Sequence, residues 1–201
     1  MVYVVDDDAD VRDSLSRLLR SVGMDAQCFA TVAAFLEAPR ADRCACLLLD
    51  VRLQGTSGLE LQDQLNRDGN AIPIIFMTGH GDIPMTVRAM KGGAIDFLAK
   101  PFREQDLLDA LHNALARARA QRAHSESHQV LQENYASLTP REREVMGLAV
   151  RGLMNKQIAG EIGTSEITVK IHRGNAMRKM QARTFADLVR MAETLHAAGT
   201  A

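Results

Sequence analysis

Five short strand-like runs, each followed by a helix-like segment, occupy residues 1–118 and leave few folds open. The first run is Val2–Val5; the others fall at 26–29, 46–49, 73–77 and 95–98. After the first, Val11, Leu15, Leu18, Leu19 and Val22 recur with a helical period, and Gly23 is placed to stop that helix. Further helices are predicted over 32–37 with Thr31 as cap, over 59–66, over 83–91 with Asp82 as cap, and from about Arg103. Strict alternation of strand and helix requires a parallel sheet with helices on both faces, joined by right-handed crossovers. No apolar run approaches the roughly 18 residues of a membrane span. The start turns acidic at Asp6 without the basic flank of a secretory signal, so a cytoplasmic protein is expected. Cys28, Cys44 and Cys46 are an odd number, which argues against a disulfide framework. Cys44 and Cys46 lead into an apolar run without a matching pair elsewhere, so they read as small hydrophobes rather than zinc ligands.

In an open parallel sheet, ligands bind beyond the carboxyl ends of the strands. Asp6 and Asp7 close the first predicted strand, Asp50 the third, Thr78 the fourth and Lys100 the fifth. Each alone reads as a cap or a solvated loop residue; their convergence on one edge reads as a site. Clustered carboxylates repel and take up protons unless a cation sits among them. Mg²⁺ suits such a set, because it takes oxygen ligands and keeps several waters beside one or two carboxylates. The ion and Lys100 would neutralise a transferring phosphoryl group, the Thr78 hydroxyl would bond another of its oxygens, and one carboxylate would remain as nucleophile.

These residues resemble a known family. Val-Val-Asp6-Asp7, Leu-Leu-Leu-Asp50, Met-Thr78-Gly-His-Gly-Asp and Asp-Phe97-Leu-Ala-Lys100-Pro101-Phe look like the receiver domain of bacterial two-component response regulators, over essentially all of residues 1–118. The resemblance implies a flavodoxin-like, doubly wound five-stranded sheet of order 2-1-3-4-5. It implies Asp50 as phospho-acceptor; Asp7, Asp50 and the Arg52 backbone carbonyl as Mg²⁺ ligands, with Asp6 acting through water; and a cis Lys100-Pro101 bond. Phe97 would be the aromatic switch that turns inward when Thr78 is drawn to the phosphate. One departure concerns the loop after Asp50, where such receivers often have Met-Pro and this chain has Leu53-Gln54; without the fixed φ of proline that loop is expected to be more mobile.

The formal net charge of −1 hides an asymmetry: residues 1–118 carry 12 Lys+Arg against 17 Asp+Glu, and residues 119–201 carry 12 against 8. No Gly or Pro occurs between Pro101 and Pro140, and the Ala-, Arg- and Gln-rich sequence there favours helix, so the last receiver helix is expected to continue as a helical linker over 119–135. His124 and His128 are spaced i, i+4 on it, and a solvated face is the simpler reading than a metal pair. A four-helix domain over 136–201 follows. Thr139-Pro140-Arg141-Glu142 is a capping box with proline at the first helical position; Asn155 is placed to cap a second helix ended by Gly163; Thr164 and Ser165 start a third; Thr184 to Asp187 starts a fourth. The short helices at a glycine turn suggest a helix-turn-helix.

A 3.6-residue period on the third helix turns Val169, Ala176 and Met180 inward and Lys170, Ile171, Gly174 and Arg178 outward. Lys170 is the base-edge candidate, Ile171 suits a thymine methyl, and Lys156, Arg173, Arg178 and Lys179 suit phosphates. Gly174 either leaves the readout to Lys170 and Ile171 or permits a close backbone approach to DNA. Leu-Thr-Pro-Arg-Glu-Arg-Glu-Val, Asn-Lys-Gln-Ile-Ala-Gly-Glu-Ile and Thr-Val-Lys-Ile-His-Arg are similar to the LuxR-type output domain over about residues 136–196, and the pairing resembles the FixJ branch of the NarL/FixJ regulators. The resemblance implies a transcription factor that a sensor histidine kinase phosphorylates on Asp50, with double-stranded promoter DNA, RNA polymerase and a second copy of the chain as partners. The rival is a haloacid-dehalogenase-like phosphatase with Asp6 as nucleophile and Asp8 as acid/base; that family requires a second acidic pair after a later strand. A receiver that acts through protein contacts without DNA is the third reading.

Overall fold

In the computed structural model, residues 1–39, 43–79 and 83–197 are described. They divide into two compact units, Met1–Arg122 and Ala123–Ala201. In the first, β1 (Val2–Val5), α1 (Ala9–Ser21), β2 (Ala26–Phe29), α2 (Val32–Glu37), β3 (Cys46–Asp50), α3 (Gly58–Arg67), β4 (Ile74–Thr78), α4 (Ile83–Lys91) and β5 (Asp96–Ala99) alternate as expected. All strand pairs are parallel and the order is β2-β1-β3-β4-β5. Asp82, the expected cap of α4, lies outside the described residues.

The strands alternate their side chains between two cores. Tyr3, Val5, Leu47, Leu49 and Phe76 face one layer with Phe35 of α2, Leu61 and Leu65 of α3 and Ala89 of α4. Val2, Val4, Leu48, Ile75 and Met77 face the other, where Leu15 and Leu19 of α1 meet Leu107 and Leu111 of α5 (Glu104–Ala136). Burial on both faces is why the inner strands β1, β3 and β4 are nearly continuous apolar runs, while the edge strands β2 and β5 admit Gln27 and Asp96. Cys46 sits inside this core, and burial pushes its thiol up to about 12, the behaviour of a small hydrophobe.

Helix α5 continues without a break through Ala136, as its composition predicts. Among the described residues no helix is long and apolar enough to cross a membrane. In the second unit, α6 (Pro140–Val150), α7 (Asn155–Ile162), α8 (Glu166–Lys179) and α9 (Phe185–Ala197) follow. Val145, Leu148, Ala149, Ile158 and Val169 form one core, and Met146, Ala176, Met180, Leu188 and Leu195 another. Gly163, at φ 67°, closes α7 in the left-handed region that glycine enters without a Cβ penalty. Asn155 is not the cap of α7: it is the first helical residue, and the Met154 amide at the cap position donates instead to Gln157 Oε1 at 2.8 Å.

The capping box at α6 has a further partner. Glu142 Oε2 accepts from the Thr139 amide at 2.9 Å and from Lys179 Nζ at 2.7 Å, and Lys179 also donates to the Ser137 carbonyl at 3.1 Å. The Lys179 ammonium and the Thr139 amide together hold the Glu142 carboxyl down at about 2, against an ordinary value of 4.5. A depressed folded-state pKa contributes stability above the unfolded value and loses it as pH falls through the folded one. The stability advantage of the native chain over Glu142→Gln, read by urea denaturation of the full chain, is therefore expected to shrink as pH drops from above 4.5 toward about 2. A constant difference across that window would break the link to Glu142 ionisation.

Candidate functional site

Because the five strands are parallel, their carboxyl ends share one edge, and the loops leaving it bring together residues up to 94 positions apart. Asp6 follows β1 and is fully buried, Asp50 ends β3 with 7% exposure, and Thr78 ends β4 fully buried. Lys100 follows β5 and spans two of them: its Nζ lies 2.6 Å from Asp6 Oδ2 and 2.6 Å from Asp50 Oδ2. Ligand oxygens of Asp6, Asp7 and Asp50 lie within 4.8 Å of one another. The Lys100-Pro101 bond is cis.

The remaining oxygens are oriented by backbone. Asp50 Oδ1 accepts from the Arg52 amide at 2.9 Å, and Asp6 Oδ1 from the Asp8 amide at 3.0 Å. Arg12 Nη1 donates to the Asp6 carbonyl at 2.7 Å, a brace that no sequence signal indicated. Burial raises the Asp6 carboxyl above its ordinary value, with the Lys100 and Asp8 bonds working against it. Burial would lower the Lys100 ammonium, but its bonds to Asp50 and Asp6 outweigh this and raise it. Three carboxylates thus cluster where only two of them, Asp6 and Asp50, bond the ammonium, an all-oxygen donor set that fits a hard divalent cation.

The loop after Asp50 lacks the proline of many receivers, yet both its ends are tied. Arg52 and Ser57 form an antiparallel bridge, the Gly58 amide donates to the Val51 carbonyl at 2.9 Å, and Ser57 with Glu60 forms a capping box for α3. Gly58 carries a constraint that sequence reasoning missed: a Cβ there would lie 2.3 Å from the Asp50 backbone oxygen. Phe97, half-buried on β5, packs beside Phe76 with ring centroids 6.3 Å apart.

The acids required by the phosphatase reading are otherwise engaged. Asp8 caps α1 through the Asp10 and Val11 amides, and Asp6 is fully buried, whereas Asp50 retains some exposure. Among the described residues only helices follow β5, so the later strand with a second acidic pair is missing.

In the second unit, α8 exposes Lys170, Ile171, Gly174 and Arg178 and buries Val169, Ala176 and Met180, the faces its period predicted. Lys156 on α7 is exposed as well. A Cβ added at Gly174 would meet nothing within 4 Å, so no packing within the unit demands glycine there. Two of the predicted phosphate-binding cations are held inside the unit. Arg173 donates to Asn155 Oδ1 at 3.1 Å and lies 4.3 Å over the Phe185 ring, tying α8 to α7 and α9, while Lys179 holds Glu142. Asn155, Phe185 and Glu142 carried no signal for these roles, because each contact joins different helices. Ile167, 74% exposed at the start of α8, was also missed.

Comparison with known proteins matches both units. Residues 2–112 fit the response regulator receiver domain, and residues 136–192 fit the luxR family of bacterial regulatory proteins. The chain is 54% identical to nodulation protein W of Bradyrhizobium diazoefficiens over 195 residues, 97% of this chain and 86% of that protein. It is 42% identical to the transcriptional regulatory protein FixJ of the same species over 191 residues, 95% and 93% of the two chains. The solved structure of the response regulator StyR superimposes with a TM-score of 0.87 at 52% identity, covering 96% of this chain and 97% of that one. None of these matches supports a phosphatase. The sheet edge that gathers acids around a lysine and the helical unit that presents a basic helix are thus the two halves of one inherited plan, and the chain belongs to the two-component response regulators of the FixJ type, transcriptional regulators with a receiver and a LuxR-type DNA-binding domain.

Proposed function

We propose that the Asp50 carboxylate attacks the phosphorus of a phosphohistidine on a sensor histidine kinase. The P–N bond breaks, the imidazole leaves with a proton, and an acyl phosphate remains on Asp50. The observation that carries this reading is the Lys100 ammonium bridging Asp6 and Asp50 at 2.6 Å each, beside Asp7. Mg²⁺, held by Asp7, Asp50 and the Arg52 carbonyl with Asp6 acting through water, would supply charge neutralisation at the phosphoryl oxygens. Lys100 has a positive charge within reach of the same oxygens, and Thr78 has a hydroxyl to donate to one of them. Drawing Thr78 toward the phosphate opens room beside β4 into which Phe97 turns. The chain itself is no enzyme beyond forming and losing this acyl phosphate. Phosphorylation then favours a dimer on promoter DNA in the cytoplasm, where the regulator meets RNA polymerase.

Lys170 and Ile171 would read base edges, with Gly174 letting the backbone approach, and Lys156 and Arg178 would meet phosphates. Arg173 and Lys179 position α8 instead. Removing a phosphate contact is expected to reduce the slope of log binding constant against log salt by about 0.9 for each copy of the chain bound. Lys156→Ala and Arg178→Ala should show that change; Arg173→Ala and Lys179→Ala should weaken binding with the slope intact. A reduced slope for the latter pair would return those cations to the DNA backbone. The whole reading is tested by footprinting on genomic DNA with and without acetyl phosphate and Mg²⁺. Protection is expected at lower protein concentration when both are present, and protection indifferent to them would overturn phosphorylation control.

A further inference from the structure

The recognition face of α8 has more exposed apolar surface than a phosphate-binding helix needs. Ile167 is 74% exposed and Ile171 57% exposed. They stand one turn apart on the side away from Val169, Ala176 and Met180, all fully buried. The helix thus fills its core with one stripe and holds a second apolar stripe in water. Cations share that face: Lys170 lies between the two isoleucines in sequence and Arg178 is exposed further along, with the acidic Glu166 confined to the first position of the helix. An apolar stripe that shares its face with Lys170 and Arg178 suits an apolar group set inside a polyanion. Among the base edges of the major groove, only thymine offers one, its C5 methyl.

Resting on the DNA-binding reading, we propose that Ile167 is a second specificity-determining residue, and that Ile167 and Ile171 together select a half-site with two thymine methyls about two base-pair steps apart. The spacing follows from geometry. Four residues of α-helix advance about 6 Å, and successive bases along a strand are separated by about 3.4 Å. Position supports the same assignment, since the N-terminal residues of a recognition helix are the ones that reach base edges, and Ile167 is the second residue of α8. Gly174 continues the face, with open space where a Cβ would stand, and so removes bulk that would hold the helix away from the groove. Lys170, between the two isoleucines in sequence, is left to donate to a guanine.

The test uses the full chain, treated with acetyl phosphate and Mg²⁺, to select duplexes from a randomised pool. The best duplex is then resynthesised with uracil in place of each thymine in turn, which removes only the methyl. In each half-site two positions about two steps apart are expected to weaken binding about four-fold each, the loss of one buried methyl. In Ile167→Ala one of these positions should become insensitive to uracil while the other keeps its effect, and Ile171→Ala should show the converse. Uracil without effect anywhere, or effects that survive unchanged in Ile167→Ala, would overturn the assignment while leaving DNA binding intact. Failure to enrich any duplex would overturn both the assignment and the DNA-binding reading beneath it.

Discussion

Asp50→Asn is expected to reduce labelling by acetyl phosphate and Mg²⁺ to background, with the mass gain of one phosphoryl group seen in the native chain and absent from the variant. The carboxamide keeps the shape of the carboxylate and an oxygen for the Arg52 amide, which now bonds Asp50 Oδ1 at 2.9 Å. What it lacks is an anionic oxygen to attack phosphorus. It also leaves Lys100 with one carboxylate partner in place of the two at 2.6 Å. The fold should survive, so an unchanged circular dichroism spectrum with labelling lost would isolate the chemistry from stability. Asp6→Asn separates this reading from the phosphatase one: it should slow labelling without abolishing it, whereas a phosphatase built on Asp6 would lose all turnover of p-nitrophenyl phosphate. Labelling that persists in Asp50→Asn at the native rate would place the acceptor elsewhere.

Gly58→Ala is expected to damage both the fold and the site. The added Cβ would stand 2.3 Å from the Asp50 carbonyl oxygen and 3.1 Å from Leu49 Cγ, and the nearer atom is backbone, which has no rotamer to escape into. Either α3 retreats, straining the Gly58 to Val51 bond of 2.9 Å, or β3 shifts and moves the Asp50 carboxylate from Lys100. Overpacking of this kind costs about 1–3 kcal/mol, and more where backbone must move. Urea denaturation of the full chain should show the loss, and the surviving folded fraction should label more slowly. Gly147→Ala is the control. Gly147 also lies in a helix, but its Cβ would meet nothing within 4 Å, so the change should stabilise by up to about 1 kcal/mol through helix propensity. Equal stability for the two alanine variants would remove the close approach at Asp50 from the account.

Much of the receiver was legible because its signals are local and periodic. The five strand runs, the Thr31 cap, the Thr139 capping box and the helix-favouring stretch that became α5 each declare themselves within a few residues. Boundaries moved by a residue or two, as with β4, which begins at Ile74 and ends on Thr78. The acidic edge was legible for a different reason: once strands alternate with helices the sheet is parallel, every carboxyl end lies on one edge, and the polar residues there come close together.

What failed to show in the sequence is what depends on a partner far along the chain. Arg173 and Lys179 look like Arg178 in sequence, three basic residues on one helix. Only the packing of α8 against α6, α7 and α9 turns the first two toward Asn155, Phe185 and Glu142 while Arg178 stays exposed. Asn155 read as a cap because its residue type favours caps, and it lost that place when Gln157 satisfied the Met154 amide.

Hydrophobic period and strand-helix alternation, both properties of neighbouring residues, by themselves determined the parallel sheet, its acidic edge and the outward face of α8. Tertiary structure alone decided which oxygen meets which donor, how closely Gly58 presses on Asp50, and which cations of α8 are tied to other helices. Those outcomes are set within a few ångströms by side chains that approach from distant parts of the chain, and local sequence preference holds no information about distances of that kind.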